Sequence, residues 1–465
     1  MQGITEKEVK QSVLVVAAFA AFLTPFMGSA INLALPSIGA EFDVNAINLN
    51  WIVSSYILAT AMFLLPLGRL ADIAGRKRIF TLGILLFTIS TFLIIFTRTF
   101  AFLIALRVAQ GISSAMIFGT SLAIITSVFP PGERGRAMGI NITAVYIGLS
   151  GGPFLGGILT RFFGWRSIFL FLVPFGIAAL ILITRRMKGE WAESRGERFD
   201  LKGSVVYGLS LLLLMYGFSR LPGMIGVLMI VAGAIVFTTF LFIERRVTNP
   251  VLNIKLITGN RVFALSSLAA LIHYSATSAI GFFVSLYLQY LKGIDPGRAG
   301  MVLIAMPVTM ALLSPIAGRL SDRFDPGRIA SAGMAVTATG IILMCFITAD
   351  TGVPVIISLL VMMGVGFAFF SSPNTNAIMS SVERKNLGLA SGIVGTMRMT
   401  GQMMSMGISM LLFALFLGKE VITPANYTAF LASMKTGLTI SAILCILGVF
   451  ASLARNASRS NIKRD

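Results

Sequence analysis

Charge is scarce in this chain. Of its 465 residues, 12% are charged and 56% are hydrophobic, whereas a soluble domain carries about 25% charged residues. A chain so poor in charge cannot clothe itself in a water-facing surface, which excludes a soluble globule. Cysteine is rarer still. Cys345 and Cys445 both fall inside apolar runs, so no disulfide framework and no cysteine metal spacing is present. His273 is the one histidine, and no metal site is expected. The 18 Asp and Glu all lie at termini, in loops or at the ends of apolar runs. No interior carboxylate is left for acid–base chemistry, and the chain is not expected to be an enzyme.

What the chain has in abundance is long apolar runs. About 20 apolar residues span a bilayer core of about 30 Å, and in lipid the backbone must be satisfied within helices or a closed barrel. The runs are continuous rather than alternating, which predicts helices. Fourteen are read, at 13–36, 51–70, 79–97, 101–127, 138–160, 166–184, 202–219, 223–243, 262–290, 299–319, 329–347, 353–378, 388–417 and 431–453. The expected fold class is an all-α polytopic membrane protein. The opening "MQGITEKEVKQS" leads into a run too long for a signal-peptide core and reads as a retained first helix.

Basic residues orient the chain. Fourteen crossings put both termini on one side. Of the 37 Lys and Arg, 27 fall in segments on that side and 8 on the other, while Arg107 and Arg398 lie within apolar runs. Cytoplasmic loops collect Lys and Arg, so both termini are expected in the cytoplasm, with the chain in a cell (inner or plasma) membrane. The same rule accounts for the formal net charge of +19 without a nucleic-acid partner. The expected partners are the bilayer and a small-molecule substrate, with the chain acting as a monomer.

A repeat organises the runs. "GRLADIAGRKR" at 68–78 ends the second run, and "GRLSD" at 318–322 ends the tenth. Glu133-Arg134 and Glu383-Arg384 keep the same offset of 250 residues. Two landmarks at one offset predict a duplicated six-helix unit. The expected domains are a six-helix bundle at 1–186, a polar linker at 187–200, two inserted helices at 201–246, and a second six-helix bundle with its tail at 247–465. Paired six-helix halves are a transporter architecture, with substrate at their interface.

Local motifs sharpen this reading. Gly68, Leu70, Asp72, Gly75, Arg76 and Lys77 form a loop motif after the second helix, with Ile73 where a basic residue is usual. "LRVAQG" supplies Arg107, Gln110 and Gly111, and "GLSGGPFLGG" supplies Gly148, Gly152, Pro153, Gly156 and Gly157. "NLALP" (32–36), "WRSIFLFLVP" (165–174) and "GTMRMTGQ" (395–402) complete the set. Six such motifs in this order, over essentially the whole chain, resemble the major facilitator superfamily, specifically its 14-helix drug:proton antiporter branch.

The resemblance implies a major facilitator fold and proton-coupled efflux of hydrophobic or amphipathic small molecules by alternating access. No cofactor is implied beyond a proton gradient. It further implies a conformational latch at Gly68, Asp72, Gly75 and Arg76, echoed by Gly318 and Asp322, and a role for Arg107 in proton coupling. Asp72, at a cavity mouth, and His273, which titrates near pH 7, are further coupling candidates. Gly148, Gly152, Pro153 and Gly156 would form a close-packed contact with the tenth helix. Many members carry Asp where this chain has Met27, which detracts from the expectation of cationic substrates.

Polar residues inside apolar runs are costly and mark function. Arg398, Gln402, Ser405 and Ser409 share one helical face, beside Met399, Met403, Met406 and Met410. His273 and Thr277 form a polar turn, Ser29 and Asn32 lie between Pro25 and Pro36, and Asn374 follows Pro373. Ser29, Asn32, His273, Thr277, Asn374, Arg398, Met399, Gln402 and Met403 are therefore the expected cavity residues. The basic, acid-free interior leaves an exporter or facilitator of organic anions as an alternative. A membrane receptor or enzyme is remote, for want of a soluble ligand domain or a catalytic cluster.

Overall fold

The computed structural model describes residues 6–187, 189–252, 254–382, 387–418 and 420–462. Glu383-Arg384, the second landmark of the repeat, lies outside them. Fourteen segments are long and apolar enough to cross a membrane. They are α1 (Lys10–Phe42), α2 (Ala46–Ala74), α3 (Arg76–Ile94), α4 (Phe100–Val128), α5 (Ala137–Phe163), α6 (Arg166–Arg186), α7 (Leu201–Arg220), α8 (Met224–Glu244), α9 (Arg261–Leu291), α10 (Pro296–Arg323), α11 (Pro326–Met344), α12 (Val353–Ser380), α13 (Ala390–Phe416) and α14 (Pro424–Ala454). No strand occurs among the described residues. The all-α, fourteen-helix expectation holds.

Several helices outrun their apolar runs. Hydropathy marks only the part in lipid, whereas a helix continues until its end groups are capped. Asn45 starts α2 by accepting from Asn48 N at 2.9 Å, and Thr99 starts α4 by accepting from Phe102 N. Asp295 and Asp325 cap α10 and α11 in the same way, each followed by a proline at the first helical position, where a missing N–H costs nothing. Gly75, at φ 118°, is the whole connection between α2 and α3. Only glycine reaches that conformation without strain.

The two six-helix sets repeat one packing device. A Cβ on Gly148 of α5 would stand 2.6 Å from Phe22 O of α1. A Cβ on Gly401 of α13 would stand 2.6 Å from Leu271 O of α9. Bare helix faces let backbones approach. Between the sets, α7 packs on α8 and touches α2 and α13, and Tyr207 Oη donates to Ala61 O of α2 at 3.2 Å.

One expectation needs correction here. Gly148, Gly152 and Gly156 do not face α10. Their bare face receives α1, with Phe22 O, Ser29 Oγ and Ala30 Cβ where side chains would project. The contact with α10 uses the adjacent face of the same helix. A Cβ on Gly157 would lie 3.2 Å from Gly297 Cα, and one on Gly300 would lie 3.0 Å from the carbonyl carbon of Pro153. A shift of one residue turns a helix by about 100°, which separates the two neighbours.

Candidate substrate cavity

Eight helices, four from each six-helix set (α1, α2, α4 and α5; α9, α10, α12 and α13), enclose a cavity of about 1410 Å³ between them. At one face, here called the outer face, the two sets are joined. Ser285 Oγ donates to Asn32 O at 2.7 Å, Arg161 pairs with Asp295 at 3.1 Å, and Ala46 N donates to Glu420 O. The cavity wall continues toward the other face, past Tyr146, to Gly139, Gly318 and Met379. That second face carries the linker and is here called the linker face.

Apolar and aromatic side chains dominate the wall, and its ionised side chains are two arginines. Arg107 is fully buried. Its Nε donates to Ile52 O at 2.9 Å, and its Nη1 donates to Gln110 Oε1 at 2.8 Å. Gln110 in turn donates to Thr91 Oγ1, which fixes the amide. The guanidinium lies 4.6 Å from the centroid of Tyr56, and Nη2 has no partner among the described residues. Arg398 stands 5.5 Å over the Tyr274 ring, and its Nε is likewise unpartnered. No Asp, Glu, Lys or His belongs to the described wall. Two cations thus border the cavity, each with a buried nitrogen that has no partner among the described residues, in a setting where charge-assisted hydrogen bonds are strong.

The structure brings together six of the nine expected cavity residues: Ser29, Asn32, Thr277, Arg398, Met399 and Gln402. It places the other three elsewhere. His273 is fully buried and stacks on Phe370 of α12 at 4.0 Å, with Phe367 at 4.8 Å. Neither of its nitrogens has a hydrogen-bond partner among the described residues. Its neighbour Tyr274 faces the cavity, with Thr277 and Gly281 on the same side of α9, so the step of one residue carries His273 behind the wall. Asn374 is buried and ties α12 to α9 through Nδ2 to Ser266 O at 3.0 Å. Met403 is buried in the core, whereas Met399 and Met406 reach the cavity. The expected polar stripe on α13 divides in the same way. Arg398 and Gln402 face the cavity, while Ser405 Oγ accepts from Ala279 N at 3.0 Å where α9 is interrupted.

Sequence reasoning missed Tyr56 and Tyr146. Tyr56 bonds Ser114 Oγ at 2.8 Å, and Tyr146 of α5 bonds Ser314 Oγ of α10 at 2.8 Å, across the two sets. Both line the cavity with Tyr274. The available signal was a tyrosine in the middle of an apolar run, where its hydroxyl needs a partner.

The residues expected to form a latch lie at the linker face. Arg76 donates to Asp72 Oδ1 at 2.8 Å, to Ser127 Oγ at 2.8 Å and to Glu193 Oε1 at 2.7 Å. Arg69 engages Glu197, Ser194 N donates to Asp72 O, and Lys77 N donates to Glu190 Oε1 at 2.8 Å. The linker is thereby strapped over the turn between α2 and α3. Gly68 has open space where a Cβ would project. In the second set, Asp322 accepts from Asn376 Nδ2 of α12 at 3.1 Å, and Gly318 lines the cavity.

Comparison with known proteins agrees with this architecture. The model of the Major Facilitator Superfamily matches residues 17–270 and 266–464. The chain is 28% identical over 444 residues to the riboflavin transporter RibZ of Clostridioides difficile (strain 630), covering 96% of this chain and 97% of that protein. It is 30% identical over 454 residues to the cephamycin export protein CmcT of Amycolatopsis lactamdurans, covering 95% and 93%. A solved bacterial homolog of the human lysosomal transporter Spinster, in an inward-facing and unoccupied conformation, matches with a TM-score of 0.69 at 16% identity, over 96% and 97% of the two chains. The chain therefore belongs to the Major Facilitator Superfamily, in its 14-helix drug-resistance-associated branch, and is a multi-pass secondary transporter of small molecules.

Proposed function

We propose that this transporter exports amphipathic small molecules by alternating access, driven by proton antiport, with the linker face and both termini in the cytoplasm of a cell membrane. The observation that carries the reading is a cavity walled by four helices from each six-helix set and bridged at the outer face. Rocking the sets about it, 1–186 against 247–465, would exchange the accessible face without moving the binding groups. The asymmetry of Lys and Arg supports the linker face as cytoplasmic. The names of the relatives, a riboflavin transporter and a cephamycin export protein, support ring-bearing small molecules as the substrate class.

The wall chemistry favours anionic members of that class. Arg107 and Arg398 face the cavity with unpartnered nitrogens, and no carboxylate of the described wall opposes them. A cation would enter against two like charges, whereas an anion would be drawn to both guanidinium groups, beside Tyr56 and Tyr274. The test is reconstitution into vesicles with an imposed pH gradient, using anionic, neutral and cationic dyes. Gradient-driven movement of neutral and anionic dyes is expected. Movement that ignores the gradient would overturn proton coupling, and preference for the cationic dye would overturn the anion reading.

A further inference from the structure

Away from the cavity, at the base of the inserted hairpin, two acids meet. Asp200 is the residue before α7 and caps it, its Oδ1 accepting from Gly203 N at 2.9 Å. Glu244 is the last residue of α8 and only 3% exposed. Its Oε2 accepts from Leu252 N at 2.7 Å. The other oxygen of each, Asp200 Oδ2 and Glu244 Oε1, is buried and has no partner. Both converge on the point where a Cβ of Gly203 would stand. A glycine there leaves the space that the two carboxyl groups fill.

Two carboxylate oxygens turned toward each other out of water cannot both carry charge. No compensating cation is at hand among the described side chains. Arg198, Lys202, Arg245 and Arg246, the nearest basic residues in sequence to the two acids, are exposed. Of the charged groups of α2, Arg69 is engaged by Glu197 and Ser194, and Asp72 by Arg76. Tyr207, higher on α7, spends its hydroxyl on Ala61 O. Val251 and Leu252, on the chain leaving α8, are apolar and buried. The charge facing Glu244 is that of Asp200.

We propose that Asp200 and Glu244 hold one proton between them and act as a pH-sensitive clasp at the base of the α7–α8 hairpin. The protonated acid donates to the other, forming an O–H···O⁻ bond. That bond ties the start of α7 to the end of α8 and, through Leu252, to the segment that enters the second six-helix set. Loss of the proton to the linker side would leave two buried negative charges face to face, and the clasp would open. The hairpin touches α2 of one set and α13 of the other. Opening its base therefore alters a contact that bridges the halves. The clasp is independent of the substrate class.

The test uses the full chain and two isosteric variants. In E244Q the amide donates to Asp200 permanently while its oxygen still accepts from Leu252 N, so the variant is locked in the protonated form. D200N leaves Glu244 with a permanent donor in the same way. Infrared spectra of purified protein in detergent, titrated from mildly acidic to alkaline pH, read the proton directly. The wild type is expected to show a protonated carboxyl C=O band at neutral pH that both E244Q and D200N lack. Identical spectra for wild type and variants would overturn the shared proton. In vesicles held at one fixed pH difference while the pH on both sides is shifted together, E244Q is expected to transport dye at every linker-side pH with the rate that the wild type shows on its acidic limb. A pH profile in E244Q that follows the wild type would overturn the clasp. If E244Q does not fold, the spectra of wild type and D200N decide.

Discussion

Gly157 of α5 lies directly against the backbone of Pro296, the first residue of α10, with Gly297 Cα 3.2 Å from the position of a Cβ. Backbone meets backbone there, so nothing can move aside for a side chain. G157A should prevent the two sets from meeting at the outer face. Overpacking costs about 1–3 kcal/mol, which displaces a two-state equilibrium about 5- to 150-fold. Dye transport should fall accordingly while expression persists. G139A is the control, because nothing lies within 4 Å of a Cβ at Gly139. Equal transport by the two variants would show that the halves do not close through Gly157.

Arg398 is the wall arginine held least by protein, with a ring beneath it and its Nε free. A hydrogen bond to a charged group contributes about 1.5–3 kcal/mol, equivalent to roughly 10- to 150-fold in affinity. R398M should weaken binding of an anionic dye by about that factor and leave a neutral dye within about threefold. Binding titrations in detergent measure this. Equal losses for both dyes would point to a structural role for the guanidinium.

Asp72 shares Arg76 with Glu193 and Ser127. The Asp72 carboxylate is partly exposed, and such pairs are worth about 0–1 kcal/mol to folding. D72N should therefore express and melt like the wild type. The latch proposal requires that its transport rate nevertheless drop, with E193Q changing little. Wild-type rates in D72N would reduce Asp72 to a partner in a local charge cluster.

His273 is enclosed by aromatic rings and sits outside the cavity wall. An aromatic replacement preserves the stacking that the imidazole makes with Phe370. H273F should retain dye transport and its dependence on pH. Loss of the pH dependence alone, with binding intact, would restore His273 as a coupling group.

Much of the molecule was legible in the chain. Long apolar runs announce spanning helices because lipid offers the backbone no partners. The cap residues Asp295 and Asp325 sit in repeated "DPGR" stretches that can be read directly. Ser29, Asn32 and Arg398 were found because a polar side chain in an apolar run must face protein or water. Tyr56 and Tyr146 went unnoticed because a largely apolar ring does not interrupt hydrophobicity.

The sequence by itself determined the solvent, the class of fold, the number of helices and the family, since each rests on local composition or on contiguous motifs. Only the tertiary structure decided which helix faces meet. Tyr274 faces the cavity and His273 faces Phe370 because adjacent helical residues point about 100° apart, and which direction faces inward depends on neighbours distant in the chain. The meeting of Asp200 with Glu244 is of the same kind. Two acids at opposite ends of a helical hairpin are unremarkable loop charges until α7 and α8 fold back and bring them together over Gly203.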